Sequence, residues 1–453
     1  MGYLYDKRNS MWDKLICGIR TGKEVNNSTT TPTIGRSHFQ RDYDRLIFSS
    51  AFRRMQNKTQ VFPLPGAVFV HNRLTHSLEV ASVGRSLGSL VADAMSTLYP
   101  NNNYISEIPH IVAAACLAHD MGNPPFGHAG ETIISGYFKD SCSHLNNGID
   151  LTPGQWNDLI YFDGNANALR LLTAQLNGRR AGGFGLSYST LASIIKYPYE
   201  STLATKNKFG FFQSEKDLVR NIAQTLGLRI IGDNPLSITR YPLTFLVEAA
   251  DDICYLLMDL EDAHKLGILS EEEVFELLYP LAYDSENAQE LHENLNVVTD
   301  PNERIAYLRA VAISKLVQVC AASYLANVDA IEQGGFETPL IKLLPRNLLD
   351  AAEAIKTISA SKIYSYPTVI EIEIAGHRIL STLAHEFTEA MLHPERQLSQ
   401  KLISRIPVQY KTNSITTYER LMTVVDFISG MTDVYALELY RNITGISIPG
   451  IIR

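Results

Sequence analysis

Tryptophan and cysteine are the scarcest residues in this chain of 453, with two and five copies. Cys17, Cys116, Cys142, Cys254 and Cys320 are odd in number, scattered and never spaced Cys-x-x-Cys. That spacing excludes a thiolate zinc site and argues against a disulfide framework, so buried free thiols in a reducing compartment are expected. Long apolar runs are missing too. No stretch approaches the roughly 20 apolar residues of a membrane helix, and residues 1–30 lack the apolar centre of a signal peptide. A cytoplasmic protein with no membrane partner is expected. Positive charge is not in excess: 40 Lys and Arg stand against 48 Asp and Glu, a net charge of -8. No overall basic field recruits nucleic acid, although a local patch still can. The chain also lacks a phosphate-cradling Gly-rich P-loop, which removes support for an ATPase or GTPase of that kind.

What is present is mainly helical patterning, without internal repeats, low-complexity tails or a clean linker. Residues 1–35 read as irregular, with a loop at Asn26–Thr33. Helical spacing follows over Phe39–Met55, and then an extended, Pro-punctuated link over Gln60–Gly66. Leu74–Leu98 has a helical period that makes Leu78, Val83, Leu87, Leu90 and Val91 candidate core positions. Pro109–Ala118, a helix around Asn165–Leu176 with a Gly-rich loop after it, and Pro242–Lys265 complete the first half. From Ser270 to Tyr440 apolar residues recur every three or four positions, interrupted by one alternating segment, Thr368–Ile374, that predicts a strand. The expected fold is all-α. Three regions are expected: an N-terminal segment over 1–70, a core over 71–265 and a C-terminal helical region over 266–453.

One stretch concentrates the chemistry. The apolar run Ile111–Ala118 ends in His119-Asp120, a Gly/Pro turn follows, and His128 and Glu131 come next. A polar doublet at the end of a buried helix is costly unless a cation offsets its desolvation. His76 opens another apolar helix, and Asp251 lies within a third. Two imidazoles and two carboxylates from His76, His119, Asp120 and Asp251 would suit a divalent metal with positions left for water and substrate. Asp251, Tyr255 and Asp259, spaced i, i+4, i+8, share one helical face. Asp252 and Asp262 point elsewhere and read as solvated or paired with Lys or Arg, and an acidic surface stripe fits Asp252, Glu261 and Asp262 better than Asp251. His128 and Glu131 become neighbours if the segment after Gly127 is helical, the carboxylate orienting the ring for proton transfer. Arg53, Arg54, Arg73, Lys196, Lys206 and Lys208 flank these motifs. Lys196 and Lys208 sit beside aromatics in loops, which favours them as phosphate contacts over plain surface charges.

Three motifs occur in order: Arg73-Leu-Thr-His-Ser-Leu-Glu-Val80, His119-Asp-Met-Gly-Asn-Pro-Pro-Phe-Gly-His-Ala-Gly-Glu131, and Glu248-Ala-Ala-Asp-Asp-Ile-Cys-Tyr255. This series resembles the HD-domain deoxyguanosine triphosphate triphosphohydrolases. Phe52-Arg-Arg-Met-Gln-Asn-Lys-Thr-Gln-Val-Phe62 and Asp426-Phe-Ile-Ser-Gly-Met-Thr-Asp433 extend the likeness to about residues 36–445. The resemblance implies a helical HD fold with a C-terminal helical extension. It also implies cleavage of a deoxynucleoside triphosphate, dGTP first, to deoxynucleoside and inorganic tripolyphosphate, with Mn²⁺ or Mg²⁺ as cofactor. By the same resemblance His76, His119, Asp120 and Asp251 match the metal ligands, His128 the catalytic histidine and Glu131 its orienting carboxylate. Arg73, Lys196, Tyr197 and Lys208 match triphosphate contacts, and Gln60, Tyr255 and Asp259 the group around the 3′-hydroxyl. The family's hexamers, and the nucleotide or single-stranded DNA effectors of some members, are implied in the same way. Two other readings compete: another HD phosphohydrolase acting on monophosphates or phosphodiesters, and a nucleotide or DNA sensor without turnover.

Overall fold

Helix ends in this chain are set by local chemistry, and the helices then pack through small residues. Asn72 caps the helix Arg73–Leu98 by accepting from the Thr75 amide, while the Thr75 hydroxyl accepts from the Asn72 amide. Pro109 sits in the first turn of Ile108–Ala118, where its missing N–H costs nothing. Where these two helices cross, a Cβ on Gly84 would lie 2.5 Å from Cys116 Sγ and one on Gly88 2.8 Å from Pro109 Cα. Close backbone approach is what those glycines permit. Thr244–Lys265 packs against both, Pro301–Ala326 packs against Arg73–Leu98 and Thr244–Lys265, and together they bury the first apolar core.

The computed structural model describes residues 11–23, 35–62, 70–147, 150–286, 288–411 and 416–447. The expected Asn26–Thr33 loop lies outside them, as do residues 63–66 of the Pro-punctuated link. A second core gathers Ile134 and Phe138 from the helix Gly127–Ser141 with Leu380 and Phe387 from Pro367–Leu392. Val424 and Phe427 from Thr417–Ser429 complete it. The turn 119–126 leads from the last residue of the first core's Ile108–Ala118 helix into the second core's Gly127–Ser141 helix. His119, Asp120, His128 and Glu131 lie in that turn or just after it.

The fold is helical, with one small antiparallel ribbon among the described residues, Ile230–Asp233 paired with Leu236–Ile238. Four sequence expectations need correction. Thr368–Ile374 is the start of the helix Pro367–Leu392, not a strand. Its alternation puts Val369 inside but leaves Ile374 62% exposed, and burial continues at helical spacing through Gly376, Ile379, Leu380 and Leu383. Leu90 is exposed, while Val83, Leu87 and Val91 are buried as expected. Cys17 is only partly buried, and the other four thiols are buried. Pro301–Ala326 is long and apolar enough to cross a bilayer, yet Ile305, Leu308, Ala312, Leu316 and Cys320 pack inside the first core.

Candidate active site

His119 ends the apolar helix, and its Nδ1 lies 2.6 Å from the Cys116 carbonyl oxygen, to which it donates. That bond fixes the tautomer and turns Nε2 toward the interior, where it is buried without a hydrogen-bond partner. A buried polar atom with no partner is costly and demands an explanation. The neighbourhood supplies one. Ligand atoms of His76, His119 and Asp120 lie within 4.8 Å of one another. Asp251 Oδ1 is 3.2 Å from His76 Nε2 and 3.4 Å from His119 Nε2. Two imidazoles and two carboxylates therefore converge from three helices and a turn, and the donor set fits a divalent cation.

The surroundings hold the carboxylates ionised. Arg73 Nη1 donates to Asp120 Oδ2 at 2.6 Å, and the Asn123 side-chain amide donates to Oδ1 of the same carboxylate. Burial works to protonate Asp120, but the Arg73 guanidinium outweighs it and holds the carboxyl at about 2. Asp251 is likewise held well below the usual carboxylate range: burial opposes this, and the His119 ring overcomes it. Burial resists charging His119 itself, yet the carboxylates of Asp120 and Asp251 raise it to about 9.

The turn to His128 is sterically tight. Phe126 and Gly127 both take positive φ, 62° and 59°. A Cβ on Gly127 would stand 2.4 Å from Arg73 Nη2, so the backbone just before His128 rests on the arginine that holds Asp120. His128 Nδ1 lies 3.2 Å from Glu131 Oε2, and its ring is 76% exposed. Glu131 is buried; it accepts from the Gly164 amide at 2.7 Å and from Lys208 Nζ at 3.2 Å. The hydrogen bond to Glu131 raises the His128 pKa. Burial pushes Glu131 up, and the His128 hydrogen bond brings it below its ordinary value. A cavity of about 440 Å³ opens from His128 and Glu131 past Lys208 toward Lys206 and Lys139.

Tyr255 and Asp259 follow Asp251 along its helix as the spacing predicts. Asp259 is buried, accepts from the Tyr364 hydroxyl at 2.7 Å, and is pushed up by burial to about 6. The Tyr364 ring stacks beside Tyr255 with centroids 6.2 Å apart. Gln60 contributes a buried Oε1 without a hydrogen-bond partner. Lys196 lies 3.4 Å from Glu248, which also accepts from Arg240 at 2.7 Å. Tyr197 is half-buried beside Tyr199, and burial raises its hydroxyl pKa. The expected acidic stripe is a correction. Asp262 is buried and accepts from the backbone and ring of His71, both at 2.8 Å, while Glu261 is buried against Lys265 and Arg309. Asp252 is half-buried, and burial pushes its carboxyl to about 7.

Sequence reasoning missed Tyr364, Asn123 and Lys58. Asn123 and Lys58 lie inside motifs quoted above, whereas Tyr364 lies in a stretch with no motif. Lys58 is buried and donates to the carbonyls of Asn123 and Ser429 at 2.6 and 2.7 Å.

A family model described as "HD domain" matches residues 73–154, and one described as "Phosphohydrolase-associated domain" matches residues 343–442. A "Deoxyguanosinetriphosphate triphosphohydrolase-like protein" of Synechocystis sp. is 38% identical, covering 96% of this chain and 100% of its own. One of the same name from Pseudomonas aeruginosa is 35% identical, covering 97% of this chain and 99% of its own. A "Deoxyguanosinetriphosphate triphosphohydrolase" of Yersinia enterocolitica is 28% identical over 89% of this chain and 93% of its own. With an HD domain carrying the His-Asp turn, an associated domain behind it, and such relatives along almost its whole length, the chain belongs to the family of deoxyguanosinetriphosphate triphosphohydrolase-like HD-domain proteins.

Proposed function

We propose that this chain hydrolyses a deoxynucleoside triphosphate, with dGTP preferred, to the deoxynucleoside and inorganic tripolyphosphate. The observation that carries this reading is spatial order. The helix bearing Asp251 continues through Tyr255 to Asp259, while Arg73 pairs with Asp120 and bears on the Gly127 backbone that leads into the His128–Glu131 pair. Phosphate and sugar readers thus flank one candidate metal centre.

In this reading His76, His119, Asp120 and Asp251 hold a divalent cation, Mn²⁺ or Mg²⁺. Bound there, the cation supplies Lewis-acid charge at the α-phosphate. Arg73 draws on charge at the same phosphate, and Lys196, Tyr197 and Lys208 hold the β and γ groups. Water attacks the α-phosphorus, the bond from phosphorus to the 5′-oxygen breaks, and that oxygen leaves protonated. His128 Nε2 moves a proton, either from the attacking water or to the 5′-oxygen, while Glu131 keeps the Nδ1 hydrogen engaged. Incubating dGTP with the protein and Mn²⁺, then separating the products by chromatography, tests the reading. Deoxyguanosine with tripolyphosphate is expected. Orthophosphate or a monophosphate product would favour another HD phosphohydrolase, and tight binding without product would favour a sensor.

The sugar side gives a second expected result. In this reading the 3′-hydroxyl donates to Asp259 and meets Gln60, whose Oε1 is buried without a hydrogen-bond partner. Dideoxy-GTP should therefore be used less well than dGTP, by roughly the 10–100-fold of one hydrogen bond to a charged group. Asp259→Asn or Gln60→Ala should narrow that gap. Tyr255, close under the ring, excludes a 2′-hydroxyl by shape, so Tyr255→Ala should admit GTP more readily than either polar change. Values of kcat/KM for the three nucleotides check this, and equal use of all three by the wild type would remove the helix from the sugar.

A further inference from the structure

Two stretches have no part in the chemistry above: Asn57-Lys-Thr59 and Gly430-Met-Thr-Asp433. In the fold they meet directly behind the metal turn. Lys58 is 3% exposed, and its ammonium has two backbone carbonyls as hydrogen-bond acceptors. One belongs to Ser429 at the end of Thr417–Ser429, where unpaired helix carbonyls attract positive charge. The other belongs to Asn123, whose side chain holds Asp120. Among the described residues no carboxylate forms an ion pair with Lys58. Placing a lysine there costs desolvation that an apolar side chain of the same length would not.

Asp433 forms the second anchor. Its Oδ2 accepts from the Thr59 amide at 2.9 Å, and its Oδ1 from the Phe126 amide at 3.1 Å. Phe126 is the left-handed residue that starts the helix of His128 and offers that helix no side-chain cap. The Lys58–Thr59 segment is itself tied to the helix of His76. The Lys58 carbonyl accepts from the Arg73 amide at 3.3 Å, and Thr59 forms a backbone bridge with Asn72.

We propose that Lys58 and Asp433 are positioning residues through which the C-terminal region sets the two halves of the site. Lys58 acts through Asn123 on Asp120 and so on metal affinity. Asp433 acts through Phe126 on the placement of His128 and so on turnover. Partners that orient metal ligands typically change affinity 10–100-fold when removed, and misplacing a catalytic group by about 1 Å costs on the order of 10² in rate.

The inference rests on the metal reading of His76, His119, Asp120 and Asp251, and the test separates the two. Mn²⁺ affinity is measured by electron paramagnetic resonance on metal-stripped wild type, Lys58→Met, Asp433→Asn and Leu316→Ala. Leu316→Ala is a destabilised control, opening a cavity in the first core at a residue that belongs to neither stretch. Thermal melts verify folding at the assay temperature. Lys58→Met should weaken Mn²⁺ binding roughly 10–100-fold, while Leu316→Ala melts earlier but binds as the wild type does. Asp433→Asn, a change of equal size, should bind Mn²⁺ normally and lose roughly 10–100-fold in kcat at saturating Mn²⁺. If Lys58→Met does not fold, Asp433→Asn still decides. Wild-type Mn²⁺ affinity in Lys58→Met, equal weakening in Leu316→Ala, or undiminished kcat in Asp433→Asn would overturn the inference. Absence of Mn²⁺ binding by the wild type would overturn the metal reading, and this inference with it.

Discussion

Replacing His119 with alanine is expected to strip the protein of its divalent metal and to leave no measurable turnover. Its Nε2 is buried, unpartnered and 3.4 Å from Asp251 Oδ1, so no other side chain replaces it as a donor. The variant would face the cation with one imidazole fewer, and first-row divalent metals bind more weakly as nitrogen donors give way to water. Asp120→Ala should show the same loss of metal and activity with a stability penalty added. Arg73 is almost wholly buried against Asp120, and removing that carboxylate leaves its charge without the partner that offsets desolvation. Breaking a buried pair in this way costs about 3–5 kcal/mol, so Asp120→Ala should melt well below His119→Ala. Metal content after dialysis, unfolding midpoints and nucleotide turnover report the three effects. Full metal occupancy with normal turnover in either variant would remove the pair from the centre.

These residues were legible in the sequence because their context is improbable otherwise. His119-Asp120 closes a helix whose residues from Ile111 to Ala118 are all buried, and only a ligand or a dense polar network makes such an end tolerable. The face shared by Asp251, Tyr255 and Asp259 followed from helical geometry alone. The failures have equally physical causes. Thr368–Ile374 alternates like a strand, but Pro367 opens a helix there and the core contacts come from residues further along. Glu261 and Asp262 looked like a solvated stripe because charge alone does not tell whether a partner arrives from another element. Arg309 and His71 arrive from about 50 and 190 positions away in the chain. Tyr364 and Lys58 were missed for a related reason. Each acts through a hydrogen bond to a residue distant in the chain, and no local pattern encodes that.

His128→Ala, by contrast, should retain the metal and lose roughly 10²–10⁴-fold in kcat, the usual contribution of a proton-transferring side chain. The ring is 76% exposed and, among the described residues, bonded only to Glu131, which places it outside the buried cluster of imidazoles and carboxylates. If the substitution strips the metal, His128 is a ligand. If kcat is undiminished, the proton moves elsewhere. The pH profile then identifies its role. The Glu131 hydrogen bond raises the ring's pKa above its ordinary value, so Glu131→Gln should return it toward the unperturbed value of about 6.5. An acid is active while protonated, and its activity is lost as pH rises through the folded-state pKa. Lowering that pKa brings the alkaline loss to lower pH. A base is active while neutral, and for it the same variant moves the acidic rise to lower pH. Whichever limb of kcat/KM moves therefore tells whether His128 protonates the leaving 5′-oxygen or deprotonates water. A profile unmoved by Glu131→Gln would show that Glu131 does not set the charge of this ring. In that case the buried carboxylate, already bonded to the Gly164 amide and Lys208, serves to hold the loop of Lys208 against the helix.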